Sequence, residues 1–385
     1  MPRVPEHAVV SRLANQSHLA MHRHPAEDFG DSFIIIKVLS AGVCGTDLAI
    51  LGGSRPDLAN VLGHEGVGTV LHAPEHAGIS PGARVIINPV HRKRHSSVIG
   101  HSRGGIFREF FTLDAADVLE GGHLVECPPA CSLTDTELAL VEPVASVLYS
   151  IELLREKSEA GLLLIRGSGT VGVLAAKLWS ILTGSPAILV SKSDEHVQWL
   201  RDSVRWPSNV SICSITTAAE AIRDYSEYPG AMAAILCCSR ESAPEGFCWL
   251  LDAVTDGAII DLMAGFPTDH KETRLGGVRL DEVRWNNICG MSSAPATAAR
   301  DSSTGKSIYL VGHRGTAERH ILQAIELMSR KVISIADIPH RLLTLEQLPG
   351  AVKKMLSADT RRHTNWIKAI VDFSQVHRGE SDADC

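Results

Sequence analysis

Short apolar runs broken by Gly and Pro dominate the first 145 residues, as in Phe33-Ile34-Ile35-Ile36 and Ala83-Arg84-Val85-Ile86-Ile87. Short strands at such close spacing predict a barrel-like β domain. Beyond that point the pattern changes. Ala145 to Glu152 reads as a helix, and Gly161 to Ile165 as a fully buried strand. Gly167 to Gly172 reads as a turn, Val171 to Thr183 as an amphipathic helix, and Ala187 to Val190 as another apolar strand. A helix follows over Asp194 to Asp202, then strands over Val210 to Ile212 and Ala233 to Cys237. Gly246 to Val254 completes the series as a helix and Ala258 to Leu262 as a strand. Strands alternating with helices predict a parallel, doubly wound α/β sheet. Ala294 to Ser307, rich in Ala, Ser, Thr and Gly, reads as a loop. Thr316 to Ser329 reads as a helix with Ile321, Ile325 and Met328 on one face and Ala324 beside them. A helix near Leu345 to Leu356, a strand at Trp366 to Val371 and a polar tail from Arg378, expected to be disordered, end the chain.

A length of 385 residues is long for one domain and comfortable for two. With 44% hydrophobic and 21% charged residues, the composition is that of an ordinary globular protein. The net charge of -7 argues against a nucleic-acid partner, since phosphate binding needs basic clusters. The basic run His91-Arg92-Lys93-Arg94-His95 reads as a surface loop, with an anion-binding role as the alternative. No apolar run is long enough to span a membrane. The N-terminus lacks the apolar block of a secretory signal. Nine scattered cysteines without a CxxC pair suggest reduced thiols and a cytoplasmic protein.

Gly167-Ser168-Gly169-Thr170-Val171-Gly172 fits GxGxxG between a predicted strand and a predicted helix, the context that dinucleotide binding demands. The first Gly makes the turn, the second admits a pyrophosphate, and the third lets helix and strand pack closely. An acid after the next strand would bind the ribose hydroxyl of NAD. This chain has Ser191-Lys192-Ser193 there, which favours NADP over NAD.

Three upstream segments carry metal-ligand chemistry: Gly42-Val43-Cys44-Gly45-Thr46-Asp47, Gly63-His64-Glu65-Gly66 and Val141-Glu142-Pro143. They offer a thiolate, an imidazole and a carboxylate from Glu65 or Glu142. A catalytic zinc takes three such protein ligands and keeps one position open. A lone Cys or a lone His means little; their order ahead of a Rossmann-type unit is what gives them weight.

With these motifs the sequence resembles the zinc-dependent medium-chain dehydrogenase/reductase family over nearly its whole length. The Glu142-Pro143 pair is similar to the sorbitol, threonine and glucose dehydrogenase branch. The resemblance implies a GroES-like β-barrel catalytic domain from residues 1–147 and 298–385 and a Rossmann dinucleotide-binding domain from 148–297. It implies Cys44 and His64 as zinc ligands, with Glu65 ligating or standing just behind the metal and Glu142 ligating directly or through water. Asp47 would hold the His64 ring, and Thr46 would take the alcohol proton. Zinc would polarise the substrate oxygen, and hydride would pass between the carbon and the nicotinamide. The substrate, a small-molecule secondary alcohol or ketone of a polyol, sugar, cyclitol or amino-polyol, would lie in the cleft between the domains. A homodimer or homotetramer is the family expectation. A zinc-free enone or quinone reductase and a non-catalytic dinucleotide sensor are the competing readings.

Two departures from the family stand out. Many relatives bind a second, structural zinc through a four-cysteine lobe, but Asn88 to Gly105 holds no cysteine, which predicts one catalytic zinc and no structural one. His91, His95 and His101 in this stretch read as lone surface histidines, with a metal site formed by the three as the alternative. Ala49 stands where many relatives have a relay histidine, so proton release must use water, a substrate hydroxyl or another residue.

Overall fold

The computed structural model describes residues 2–12, 18–157, 161–225, 232–291, 294–357 and 364–375. The chain divides into two compact units, Met1–Glu142 with Ile321–Cys385, and Pro143–His320.

The first unit is built around one long strand, Phe33–Val43, whose Ile34, Ile35 and Ile36 are all buried. β-branched side chains on both faces suit a strand covered on both sides. The first half of this strand pairs antiparallel with Phe110–Asp114 and the second half with Lys368–Asp372. Its other edge pairs with Glu65–His72, followed in order by Arg84–Ile87 and Leu124–Glu126. The sheet therefore joins segments from both ends of the chain at Gly42, Val43 and Glu65, and the metal-ligand motifs lie at that junction.

The stretch from Asn88 to Gly105 is closed by ion pairs and a buried imidazole. Helix Ala115–Gly121 supplies Asp117, which accepts from Arg94 and, at 2.5 Å, from Arg103. Arg92 donates to the carbonyls of Leu119 at 2.6 Å and Glu120 at 2.8 Å, the C-terminal turn of that helix where cations are favoured. His91 is fully buried, its Nδ1 accepting the Lys93 and Arg94 N–H groups at 3.1 and 2.9 Å, and its ring edge meets His123. Arg92, Lys93 and Arg94 of the basic run are exposed, as a surface loop requires, while making these contacts within their own unit. His91 and His101 are buried, contrary to the expectation of surface histidines, because the whole segment folds back onto its own unit.

In the second unit a seven-stranded sheet runs in the order Val210–Ser214, Ala187–Ser191, Leu162–Arg166, Met232–Leu236, Ala258–Leu262, Ser307–Val311, Thr297–Arg300. The first six strands are parallel and the last is antiparallel. The chain winds outward from Leu162–Arg166 in one direction, then returns to start the other half at Met232–Leu236. The switch point between those two strands is where such sheets bind ligands.

Thr297–Arg300 corrects the loop expected over 294–307. Its small, half-buried and exposed residues leave no apolar period to read. Its partner Ser307–Val311 continues the parallel sheet, and His313–Arg314 pairs with Asn287–Ile288. The two compact units change at 142/143 and 320/321. The expected tail from Arg378 lies outside the described residues. Among the described residues no helix is long and apolar enough to cross a membrane.

Asp117 ties two arginines to one helix, so Asp117→Ala should remove about 1–2 kcal/mol of stability and speed amide exchange over 88–105. Hydrogen exchange read by mass spectrometry checks this; unchanged protection of that stretch would contradict the role assigned to Asp117.

Candidate metal centre and dinucleotide edge

Strand Phe33–Val43 ends where Cys44 turns the chain into helix Gly45–Leu51. Cys44 sits at the N-cap with extended backbone. Asp47, three residues on and completely buried, accepts the Cys44 N–H through Oδ2 at 2.9 Å and the Gly63 N–H through Oδ1 at 3.1 Å. Oδ1 also lies 3.5 Å from His64 Nδ1, long for a hydrogen bond but close enough to orient the ring. One carboxylate therefore fixes the two segments that carry the thiol and the imidazole.

The turn into His64 depends on glycine. Gly63 has φ +88°, and a side chain there would lie 2.6 Å from the Phe107 ring. Glu65 then opens the strand Glu65–His72 opposite Gly42. As a result Cys44, His64 and Glu65 each present one ligand atom within 4.8 Å of the others, with His64 and Glu65 buried. His64 Nε2 and Glu65 Oε1 are 4.0 Å apart.

Burial pushes the Cys44 thiol up, and the Glu65 carboxylate adds to that; the His64 ring and the Lys368 ammonium work the other way. For His64, burial opposes the protonated ring, but Asp47 and Cys44 outweigh it and hold the imidazole well above its ordinary value. A half-buried thiol with a buried imidazole and a buried carboxylate this close together favours positive charge among them. They are the donor types zinc takes, and three of them leave a position open. The residues present fit a zinc ion.

Lys368 belongs to this centre and escaped the sequence reading. It is 2% exposed, opens strand Lys368–Asp372 and pairs with Glu65 Oε2. Burial works against its charge, yet Glu65, Cys44 and Glu142 together hold it above the ordinary lysine value. The space for this pair is the missing side chain of Gly42: a Cβ there would lie 2.8 Å from Lys368 Nζ and 2.9 Å from Glu65 Oε2. A lone Lys in the apolar run Trp366 to Val371 is the signal that could have revealed it. His101 is the second addition, its ring edge-on to His64 with centroids 4.7 Å apart. Glu142, buried in the first turn of helix Val141–Lys157, stands outside the close set of three. Thr46, half-buried, adjoins Cys44 in the first turn of its helix.

At the carboxyl edge of the parallel sheet the three glycines of the fingerprint differ in what surrounds them. Gly167, at φ +132°, would put a Cβ 2.6 Å from the Cys237 backbone, and Gly172 would put one 1.9 Å from the Gly167 carbonyl oxygen. Gly169 has nothing within 4 Å of that position, and it caps helix Thr170–Thr183, which begins with Thr170 and Val171, without a side-chain bond. Open space over a helix N-terminus is what a pyrophosphate requires. Ser191 is buried and accepts from Ser168 Oγ at 3.0 Å, whereas Lys192 and Ser193 are exposed. Ser193 caps helix Asp194–Ser203, accepting the His196 N–H at 3.2 Å. His196, stacked on Trp199, brings its Nε2 to 3.3 Å from the Ser168 carbonyl and is a further residue at this edge.

Residues 30–122 match the alcohol dehydrogenase GroES-like domain. The L-galactonate-5-dehydrogenase of Escherichia coli (strain K12) is 28% identical over 167 residues, 39% of this chain and 46% of that protein. The L-threonine 3-dehydrogenase of Salmonella gallinarum is 22% identical over 284 residues, 68% of this chain and 78% of that protein. The chain spans about half the length of the curated relatives it matches first. Among solved structures, the 2R,3R-butanediol dehydrogenase from Bacillus subtilis superposes with a TM-score of 0.69 at 17% identity, covering 95% of this chain and 99% of that one. That likeness concerns the fold.

Asp47→Ala should free both ligand-bearing turns and weaken zinc binding about 10- to 100-fold, as loss of a partner behind a metal ligand does. Competition with a chromogenic chelator measures it; wild-type affinity in the variant would rule out the clamp.

Proposed function

We propose that this chain is a zinc-dependent oxidoreductase of the medium-chain dehydrogenase/reductase type, moving hydride between NAD(P) and a secondary alcohol or ketone. The substrate class is a polyol, sugar, cyclitol or amino-polyol. The observation that carries this reading is the convergence of Cys44, His64 and Glu65 within 4.8 Å, on a turn held by buried Asp47. The activities that the curated relatives are named for, on L-galactonate and L-threonine, support a CH–OH donor.

Cys44 and His64 would hold the zinc, with the carboxylate coming from Glu65 or Glu142. When bound, the metal supplies Lewis acidity that favours alkoxide over alcohol and polarises a carbonyl. Asp47 keeps the His64 ring in one orientation. Thr46, in the first turn of the helix that Cys44 caps, is the hydroxyl we assign to take the substrate proton. Ala49 offers no group to pass it on, so the proton leaves through water, a substrate hydroxyl or another residue. The absence of cysteine from Asn88 to Gly105 supports a single, catalytic zinc.

Gly167, Gly169 and Gly172 would shape the pyrophosphate cradle, with the N–H groups of Thr170 and Val171 facing the negative charge. NADP is the favoured cofactor. Ser191 is neutral, buried and tied to Ser168 where NAD binding calls for an acid, and Lys192 and Ser193 are exposed beside it. A homodimer or homotetramer is the assembly we favour, and cytoplasmic chemistry fits cysteines left as free thiols among the described residues.

Metal analysis of the purified protein should give about one zinc per chain, and Cys44→Ala or His64→Ala should lose metal and turnover with the circular dichroism preserved. Protein that carries no zinc and oxidises nothing in a panel of polyols, aminocyclitols and sugars would sink the reading. Lys192→Ala should weaken NADP binding roughly tenfold and leave NAD binding as it was. Equal losses for both cofactors, read by fluorescence titration, would take Lys192 out of the phosphate site. Gly169→Val should abolish dinucleotide binding through its clash with the pyrophosphate.

A further inference from the structure

Beneath the carboxyl edge of the parallel sheet lies a group of titratable residues that the reaction described above does not use. Asp261 is completely buried on strand Ala258–Leu262. Ser150, from helix Val141–Lys157, donates to its Oδ2, while Oδ1 makes no hydrogen bond of normal geometry among the described residues. His313, just beyond strand Ser307–Val311, brings Nε2 to 3.7 Å from Oδ2. The His313 ring lies 4.6 Å from Tyr149, which stacks at 4.5 Å on His320. His320 meets Glu152 at 2.9 Å, and Arg319 pairs with the same carboxylate.

Four parts of the chain contribute groups around Asp261. Ser150 comes from the helix, Arg284 from the end of helix Leu280–Val283, Cys237 from the end of strand Met232–Leu236, and His313 from beyond Ser307–Val311. Around His313 stand Tyr149, His320 and Arg284. Burial is the largest effect on Asp261 and raises its carboxyl to about 7; Ser150, Arg284 and the Leu262 N–H oppose it without prevailing. Burial pushes His313 down to about 3, so the ring stays neutral. The carboxyl is therefore the group that changes charge near neutrality.

Its place in the sheet gives that change a target. Leu262 is in register with Leu236, and Leu236 with Arg166, the residue before Gly167. Asp261 thus sits one residue inside the edge that carries the fingerprint turn. Dinucleotides lie across the two halves of such a sheet, one mononucleotide to each. Ser191, Lys192 and Ser193 mark the half that takes the adenosine ribose, which leaves the nicotinamide to the half containing Asp261. The oxidised nicotinamide ring is a cation and the reduced ring is neutral. A carboxylate below it favours the oxidised form, and a neutral carboxyl removes that preference.

We propose that Asp261, with His313 beside it, sets the preference between oxidised and reduced cofactor, favouring the oxidised form once its carboxyl has released a proton to solvent. This rests on the dinucleotide-binding reading given above.

Dissociation constants of NADP in both redox forms, measured by calorimetry, test it. The oxidised-to-reduced affinity ratio should rise roughly fivefold or more between about pH 6 and about pH 8 in the wild type and stay nearly flat in Asp261→Asn. Ser150→Ala, which removes the side-chain hydrogen bond favouring the carboxylate, should move the rise to higher pH. Equal rises in wild type and Asp261→Asn, or no displacement in Ser150→Ala, would overturn the proposal. A wild type that binds neither NADP nor NAD would instead overturn the cofactor reading, and this coupling with it. Without cofactor, the sign is fixed by the raised carboxyl: between its unfolded value near 3.8 and its folded value near 7 the native state holds the extra proton. Stability from this group is then lost as pH rises through that window, so the melting temperature of wild type should fall relative to Asp261→Asn. Parallel melting profiles would also count against the proposal.

Discussion

The buried carboxylate of Asp47 is the constraint on which the metal centre depends. Its two oxygens take the N–H groups of Cys44 and Gly63, which lie on different elements and could otherwise move independently. A completely buried carboxylate is costly to leave unsatisfied, so these bonds hold firmly in the folded state. The thiol and imidazole inherit their separation from that one side chain.

A second charge arrangement completes the centre from the opposite end of the chain. Lys368 reaches Glu65 only because Gly42 has no side chain, and because strand Lys368–Asp372 pairs beside it. Buried ion pairs gain little stability over apolar packing, but losing one partner strands the other. Lys368 therefore reads better as the group that fixes where the Glu65 carboxylate points than as a source of stability. It supplies the positive charge that two acidic side chains and a thiol need around them.

The legible parts of this molecule were those written locally. The fingerprint turn, the CGTD and GHE segments and the alternation of strands and helices each rest on a few consecutive residues whose chemistry has one purpose. Thr297–Arg300 was missed because an edge strand of Thr, Ala and Arg lacks an apolar period. Lys368, His101, His196, Asp261 and His313 were missed for a different reason. Each acquires its role from a partner between 28 and 303 residues away in the chain, as His196 does from Ser168 and Lys368 from Glu65. A lone polar residue in an apolar run, as at Lys368 and Asp261, was the trace they left in the sequence.

The stretch between Asn88 and Gly105 is drawn together by Asp117 and its two arginines rather than by cysteine ligands. Such a closure has no cysteine to oxidise. It is instead exposed to mobile electrolyte, since Arg94 remains more than half accessible at its side chain. Because Gly100 and His101 from this stretch rest against Gly63 and His64, ionic strength becomes a condition that reaches the metal-ligand turn from outside.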